Sequence, residues 1–339
     1  MTNEFILAGA PVVSSQTVGG HASTAARRSY VLGIDIGGTN LRLALADTRG
    51  AIQARWSTST VGISGAGAIV AKIHDGLRNL LDETSADPEM LKGVAAGAPG
   101  VTDPDDGVVI ATSYLMGWRD VPLQRMLEDT LQVPAAIDND VNLAALGESW
   151  CGIAREAADF AFLAIGTGLG AGLFLNGGLF RGRGWTAGEI GYMLVPGITP
   201  QTARPHEPGA LESVIGGTGI CKQWQTYEGR TPLPATLTPT EIFDHAKWGD
   251  PAAAALLHQT STLLARTIYN MSLVLNVPLF VLGGSIGMHA SLHESTEAEL
   301  AALNLRSRPK LLRSILGADA QIMGALRLAL EVAGVHTPR

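Results

Sequence analysis

The sequence predicts an α/β protein of two similar lobes with a cleft between them. Two distant stretches, 31–46 and 159–175, carry one pattern: an apolar run, a Gly/Thr turn and a second apolar run, with Ile36-Gly37 and Ile165-Gly166 in equivalent places. Each reads as a β-hairpin, and they lie too far apart for a solenoid repeat. Elsewhere, strand patterns alternate with helix patterns, which is the α/β signature. Glycine supplies 41 of 339 residues, about 12% against a usual ~7%. The excess clusters at strand ends: Gly37/Gly38, Gly97/Gly100, Gly166/Gly168, Gly216/Gly217 and Gly283/Gly284.

Taken in order, residues 1–29 are small, polar and aperiodic. They lack a basic stretch followed by an apolar run, so they predict a flexible leader rather than a secretory signal. Ile69, Ile73, Leu77 and Leu80 share one helical face and predict a helix over 66–81. Leu91–Ala98 reads as a buried strand stopped by Pro99-Gly100. A helix over Leu123–Leu131, a short strand over 135–137 and a helix beginning at Asn142 follow. Residues 197–209 are proline-rich and aperiodic, which predicts a surface excursion. Pro251–Leu275 is a long apolar helix, 278–282 a strand and 322–333 a terminal helix. The expected division is a leader (1–29), an N-terminal lobe (30–138 with a C-terminal helix in 315–335) and a second lobe (139–314).

Charge and cysteine narrow the function classes. There are 24 Lys+Arg against 31 Asp+Glu, a net charge of −7, so no basic surplus exists to release counterions from nucleic acid. Two cysteines exclude a disulfide framework and a four-thiolate metal site; Cys151 and Cys221 read as packed thiols. No run approaches the ~18 apolar residues of a membrane span. These features predict a soluble, cytoplasmic protein acting on a small molecule.

The polar residues beside the glycine turns carry the chemistry. Glycines at strand ends serve turn geometry, or they bring backbone N–H groups close to phosphate oxygens; Thr39 and Thr167 add hydroxyls. Asp35 stands in an apolar strand, where a carboxylate is costly unless compensated. It reads as a hydrogen-bonded turn aspartate, or as a ligand through water for the Mg²⁺ of a nucleoside triphosphate. Asp138-Asn139-Asp140-Val141-Asn142 follows a strand and opens a helix. It exceeds what a single cap needs, and at a strand's C-terminal end it faces the cleft. Asp140 there is placed to take a proton from a substrate hydroxyl while Asn139 bonds a neighbouring one. Glu189 and Glu212 read either as helix-start glutamates or, with Asp140, as an acceptor-rich pocket for a polyol. No Walker or dinucleotide fingerprint is present.

These motifs together resemble the ROK family of sugar kinases, in the actin-like ATPase superfamily, from about Tyr30 to the C-terminus. The stretch from Gly33 to Arg42 resembles the family's first phosphate motif, and Ile165 to Gly172 its second. Gly97–Gly100 and Gly117-Trp118 resemble its sugar-side loops, and Asp138 to Asn142 its catalytic motif. Gly188 to Gly191 and Leu211-Glu212 resemble its sugar-binding segments, and Val281 to Ser285 its nucleoside-side loop. The resemblance implies two ribonuclease-H-like lobes, with ATP and Mg²⁺ as cofactors. It implies Asp140 as general base and Asn139, Glu189 and Glu212 as sugar ligands, with Gly100, Tyr114 and Tyr192 beside them. Asp35, Gly37, Gly38, Thr39, Asn40, Thr167 and Gly168 would surround the phosphates and metal, and Gly283 and Gly284 the nucleoside. A homodimer is what the family suggests.

Departures from the family pattern carry information. Relatives often hold a zinc on one His and three Cys; here those positions are Tyr192, Ala203, Pro205 and Ala210, so no zinc site is expected. Tyr114 stands where an asparagine is frequent. The expected reaction is ATP-dependent phosphorylation of a hexose hydroxyl, foremost the 6-OH of glucose. Alternatives are fructose or an N-acetylated hexosamine as acceptor, inorganic polyphosphate as donor, and a sugar-sensing regulator. Polyphosphate would want a basic groove, which Arg181 and Arg183 would begin unless they belong to a solvated loop. A regulator needs a DNA-binding domain for which the leader is too short. A chaperone-like ATPase would need a substrate-binding extension that the sequence lacks.

Overall fold

The hairpin expected over 31–46 forms as β1 (Tyr30–Ile36) and β2 (Asn40–Asp47), antiparallel with Ile36 opposite Leu41. The computed structural model describes residues 29–198, 208–227 and 233–335. All of β1 is buried, as in a strand covered on both faces. β3 (Ile52–Ser59) pairs antiparallel with β2 and buries only one face, and α1 (Ala66–Thr84) follows it. β4 (Leu91–Ala98) lies parallel to β1. β5 (Val101–Asp103), β6 (Val108–Ala111) and β7 (Arg119–Val121) form a small separate antiparallel sheet. After α2 (Leu123–Leu131), β8 (Ala135–Asn139) completes the order β3-β2-β1-β4-β8.

α3 (Asp140–Cys151) leads into a second sheet. β9 (Phe160–Ile165), β10 (Leu169–Leu175) and β11 (Gly178–Phe180) run antiparallel. Then come α4 (Glu212–Ile215), α5 (Gly217–Thr226), α6 (Pro239–Lys247) and α7 (Pro251–Leu275). β12 (Leu279–Gly283) is parallel to β9. α8 (Gly284–Gly287), α9 (Ala290–Ala302), β13 (Lys310–Arg313) and α10 (Ala320–Val332) close the chain. The order β11-β10-β9-β12-β13 matches that of the first sheet. Each sheet has three antiparallel strands followed by two parallel ones, so the duplication seen in the two hairpins extends to both sheets.

One helix pair joins the halves. α3 packs on β9 and β10, α10 packs on β1 and β4, and the two helices pack on each other. They cross at glycines: a Cβ on Gly324 would overlap the Leu143 carbonyl, and one on Gly147 the Ala320 carbonyl. Part of the glycine excess therefore serves a backbone-to-backbone crossing away from the strand-end turns.

Element boundaries differ from expectation in two places that matter. β8 runs on to Asn139, and α3 begins at Asp140 rather than Asn142. The reason is that Asn139 is the N-cap, its side chain accepting from the N–H groups of Val141 and Asn142. α1 continues to Thr84 and ends on Ser85 in the left-handed region, φ 51°. Residues 1–28 of the leader and 199–207 of the expected excursion lie outside the described residues, as do Ala203 and Pro205.

Candidate active site

The junction of β8 and α3 is fixed by side chains folding back on the backbone. Asn139 Oδ1 accepts from Val141 N (2.8 Å) and Asn142 N (3.2 Å), and its Nδ2 donates to the Gly100 carbonyl (2.8 Å). Most of the Asn139 amide is thus spent holding the loop. Gly100 has φ +97° and acts through its carbonyl. Asp138 is buried, and its Oδ1 accepts from Asn139 N (2.8 Å) and Asn142 Nδ2 (3.0 Å). Its Oδ2 accepts from Arg181 Nε (2.9 Å) and Nη2 (2.5 Å). Arg181 therefore neutralises a buried carboxylate behind the β8–α3 junction. It neither begins a basic groove nor sits in a solvated loop, whereas Arg183 is exposed.

Asp140 opens α3 beside β4, where Gly97 leaves room for it: a Cβ on Gly97 would sit 3.4 Å from Asp140 Cα. Burial pushes the Asp140 carboxyl up to about 7, the negative charges of Asp35 and Glu189 push the same way, and the Val141 N–H opposes them. A carboxyl titrating near 7 suits a general base that must take a proton at neutral pH.

The acceptor side is built by loops of the second half and one loop of the first. Glu212, at the start of α4, accepts through Oε2 from Leu169 N (2.7 Å) and the Tyr114 hydroxyl (3.2 Å). Glu189 is raised by burial and by Glu212. The Tyr114 phenol is raised by burial, then by Glu212, Asp140 and Glu189, so it stays a protonated donor. Tyr192 is raised by burial and by Glu189 and Glu212. These mutual effects place Asp140, Glu189, Glu212, Tyr114 and Tyr192 around one space. Gly209 backs directly onto Gly191 and the Tyr192 N–H.

The two glycine turns flank that space. In the first, Gly37 N donates to the Asn40 carbonyl (2.8 Å), Thr60 Oγ1 donates to the Gly37 carbonyl (2.9 Å), and Asn40 Nδ2 donates to Thr39 Oγ1 (3.1 Å). Gly38, Thr39 and Asn40 are exposed. Behind it, buried Asp35 accepts from Arg42 Nε (2.8 Å) and Nη2 (2.5 Å), while Arg42 Nη1 donates to the Ala318 carbonyl (2.6 Å). Burial outweighs the Arg42 charge and leaves the Asp35 carboxyl raised. Tyr114 spans the turns: a Cβ on Gly38 would lie 3.1 Å from its carbonyl oxygen, and one on Gly168 would overlap its hydroxyl.

A cavity of about 610 Å³ opens beside the second turn, lined by Gly166, Thr167, Gly217, Lys222, Thr238 and Ser285, among others. Its size, hydroxyls, backbone amides and lysine fit a nucleotide, and Asp35 offers the single hard carboxylate that a Mg²⁺ bound mainly through phosphates requires. Gly283 and Gly284 leave no room for a side chain: a Cβ on Gly283 would enter the Phe162 ring, and one on Gly284 would meet the Ile165 carbonyl. Ser285 and Ile286, next in the chain, line the cavity. Among the described residues, no cluster of three His, Cys, Asp or Glu could hold a metal ion, and no helix is long and apolar enough to cross a membrane.

Sequence reasoning missed Arg42 as the partner of Asp35, Arg181 as the partner of Asp138, and Lys222 at the cavity. A buried aspartate in an apolar strand signals that a cation exists but does not say which one.

Comparison with known proteins gives the family. A profile of the ROK family matches residues 31–332. A glucokinase of Halalkalibacterium halodurans is 32% identical over 269 residues, covering 76% of this chain and 80% of that protein. A beta-glucoside kinase of Listeria innocua is 30% identical over 276 residues, covering 81% and 89%. The crystal structure of a ROK hexokinase from Thermus thermophilus superposes with a TM-score of 0.72 at 27% identity, covering 90% of this chain and 99% of that one. The chain belongs to the ROK family and is a sugar kinase with the two-lobed fold of the actin-like ATPases.

Proposed function

We propose that the chain phosphorylates a hexose hydroxyl with ATP and Mg²⁺, its simplest acceptor being the 6-OH of glucose. The observation that carries this reading is the convergence of a raised carboxyl, Asp140, with Glu189 and Glu212 between two glycine turns. The named similarity to a glucokinase supports the choice of glucose.

Bound ATP with Mg²⁺ supplies the phosphoryl group and neutralises its developing charge. Glu189 and Glu212 accept hydrogen bonds from sugar hydroxyls and fix the ring. Asp140 accepts the proton of the attacking hydroxyl. The amides of Gly38, Thr39, Thr167 and Gly168 would donate to phosphate oxygens, and the Thr39 and Thr167 hydroxyls would add further donors. Asp35, held by Arg42, would help to hold the Mg²⁺, which would neutralise phosphate charge. Lys222, Thr238 and Ser285 border the nucleoside end.

A coupled ADP-release assay over glucose, mannose, fructose and N-acetylglucosamine, with ATP or polyphosphate as donor, tests the reading. ATP-dependent turnover greatest with glucose is expected. Turnover with polyphosphate alone, or a clear preference for another hexose, would overturn it.

A further inference from the structure

A second cavity, of about 450 Å³, lies where the α3–α10 pair meets the second sheet. Among the described residues, its walls include none of Asp140, Glu189, Glu212 or the two glycine turns. Three cations from different elements converge on it: Arg155 from the loop after α3, Arg181 just beyond β11, and Arg327 of α10. Their protein partners use only part of them. Arg181 gives Nε and Nη2 to Asp138. Arg327 pairs through Nη2 with Glu331 (3.1 Å), and Arg155 through Nε with its neighbour Glu156 (3.2 Å). The side chains of Arg181 and Arg327 are only 28% and 16% exposed. No arginine nitrogen is nevertheless buried without a partner among the described residues. The remaining N–H groups of both guanidiniums therefore reach open space, and both side chains line this cavity. The pairs with Glu156 and Glu331 lie at the surface, where ion pairs are weak, so a phosphate that takes guanidiniums two bonds at a time can compete with them.

The rest of the lining narrows the ligand. Glu156 and Glu331 border the same space and accept hydrogen bonds, while Trp150 and Leu179 add apolar surface. Guanidiniums take a phosphate, carboxylates take hydroxyls, and an indole takes the C–H face of a sugar ring. A bare phosphate would leave the carboxylates and the indole unused. A nucleoside polyphosphate would set further negative charge against the two carboxylates. We propose that this cavity is an effector site for a sugar phosphate, the chemical class to which the product of the reaction belongs. Arg181 connects it to catalysis. A phosphate on Arg181 draws it from Asp138, whose other oxygen holds Asn139 N and Asn142 Nδ2 on either side of Asp140. Occupancy loosens the β8–α3 junction and lowers kcat, so the product restrains its own formation. That sense of regulation rests on the hexose-kinase reading; the binding site does not.

The test is calorimetry with glucose 6-phosphate on the full chain, with glucose and a non-hydrolysable ATP analogue saturating the acceptor and nucleotide sites. A further equivalent is expected to bind, about tenfold more tightly than inorganic phosphate. Arg155→Gln/Arg327→Gln should weaken it about tenfold. Gly178 lines the cavity with nothing within 4 Å of where a Cβ would stand, so Gly178→Phe fills the space without removing a charge and should block binding as well. Both variants should keep kcat/KM for glucose within about twofold of the unmodified chain and lose the fall in kcat that glucose 6-phosphate causes there. No further equivalent, affinity no better than that of phosphate, or binding that survives both variants would overturn the site and leave the kinase intact. Binding with no fall in kcat would overturn the regulation. Binding that both variants abolish, in a chain that turns over no sugar, would keep the site and overturn the kinase reading.

Discussion

Asp140 is a carboxyl held near neutrality by its surroundings, and both its catalytic and its stability effects follow from that. Burial, Asp35 and Glu189 favour the protonated form and lift its titration to about 7. A base works only when ionised, so kcat/KM should rise with unit slope up to about pH 7 and level off above it, as read from a pH–rate profile. Asp140→Asn removes the base and should lower kcat by about 10²–10⁴ while glucose still binds, measured by calorimetry. Stability moves the other way. Because the folded carboxyl titrates above its unfolded value of about 3.9, the folded chain binds the extra proton between those values. Stability therefore falls as pH rises from about 4 to about 7 and stays low above. Asp140→Asn should accordingly raise Tm at pH 8, by roughly 2–4 °C for each kcal/mol regained, and leave it unchanged near pH 4.

Two contacts at the level of elements hold α3 in place. Arg181, just beyond β11, supplies the cation for buried Asp138. Removing it in Arg181→Met leaves an unpaired buried carboxylate and should cost about 3–5 kcal/mol in denaturant titrations. Asp138→Asn added to that variant should recover a good part of the loss, because no charge is then stranded. At the other end, α3 and α10 touch through Gly147 and Gly324. Gly324→Ala places a methyl group against the Leu143 carbonyl and should cost about 1–3 kcal/mol, with lower activity as α3 shifts. Glu148 ties the end of α3 to the residue that follows β13, accepting from Ile153 N (2.8 Å) and from the Ser314 hydroxyl. At this scale the strand-end glycines, β4 and α7 were readable because periodicity is local. The start of α3 was misplaced by two residues because the asparagine that caps it, Asn139, resembled a site residue.

For the molecule as a whole, the Tyr114–Glu212 hydrogen bond links the halves. A bond to a charged group is worth about 1.5–3 kcal/mol, enough to bias lobe closure. Tyr114→Phe should therefore give a larger radius of gyration by small-angle scattering without sugar. Glucose with a non-hydrolysable ATP analogue should bring the variant and the unmodified chain to the same compact value.

What the sequence by itself determined was local and repetitive: the α/β class, the two hairpins, the glycine turns and the identity of Asp140, Glu189 and Glu212 as candidate residues. Hydrophobic period and turn chemistry are written in neighbouring residues, so they can be read without a structure. The tertiary structure alone decided which charges pair and which loops meet. Arg42 faces Asp35, Arg181 reaches Asp138 across 43 positions of chain, Tyr114 meets Glu212 across 98, and glycines such as Gly147 and Gly324 serve a helix crossing. Those pairings depend on how the two sheets and their crossing helices are brought together, and no spacing along the chain encodes a distance between segments that become neighbours only when the core is packed.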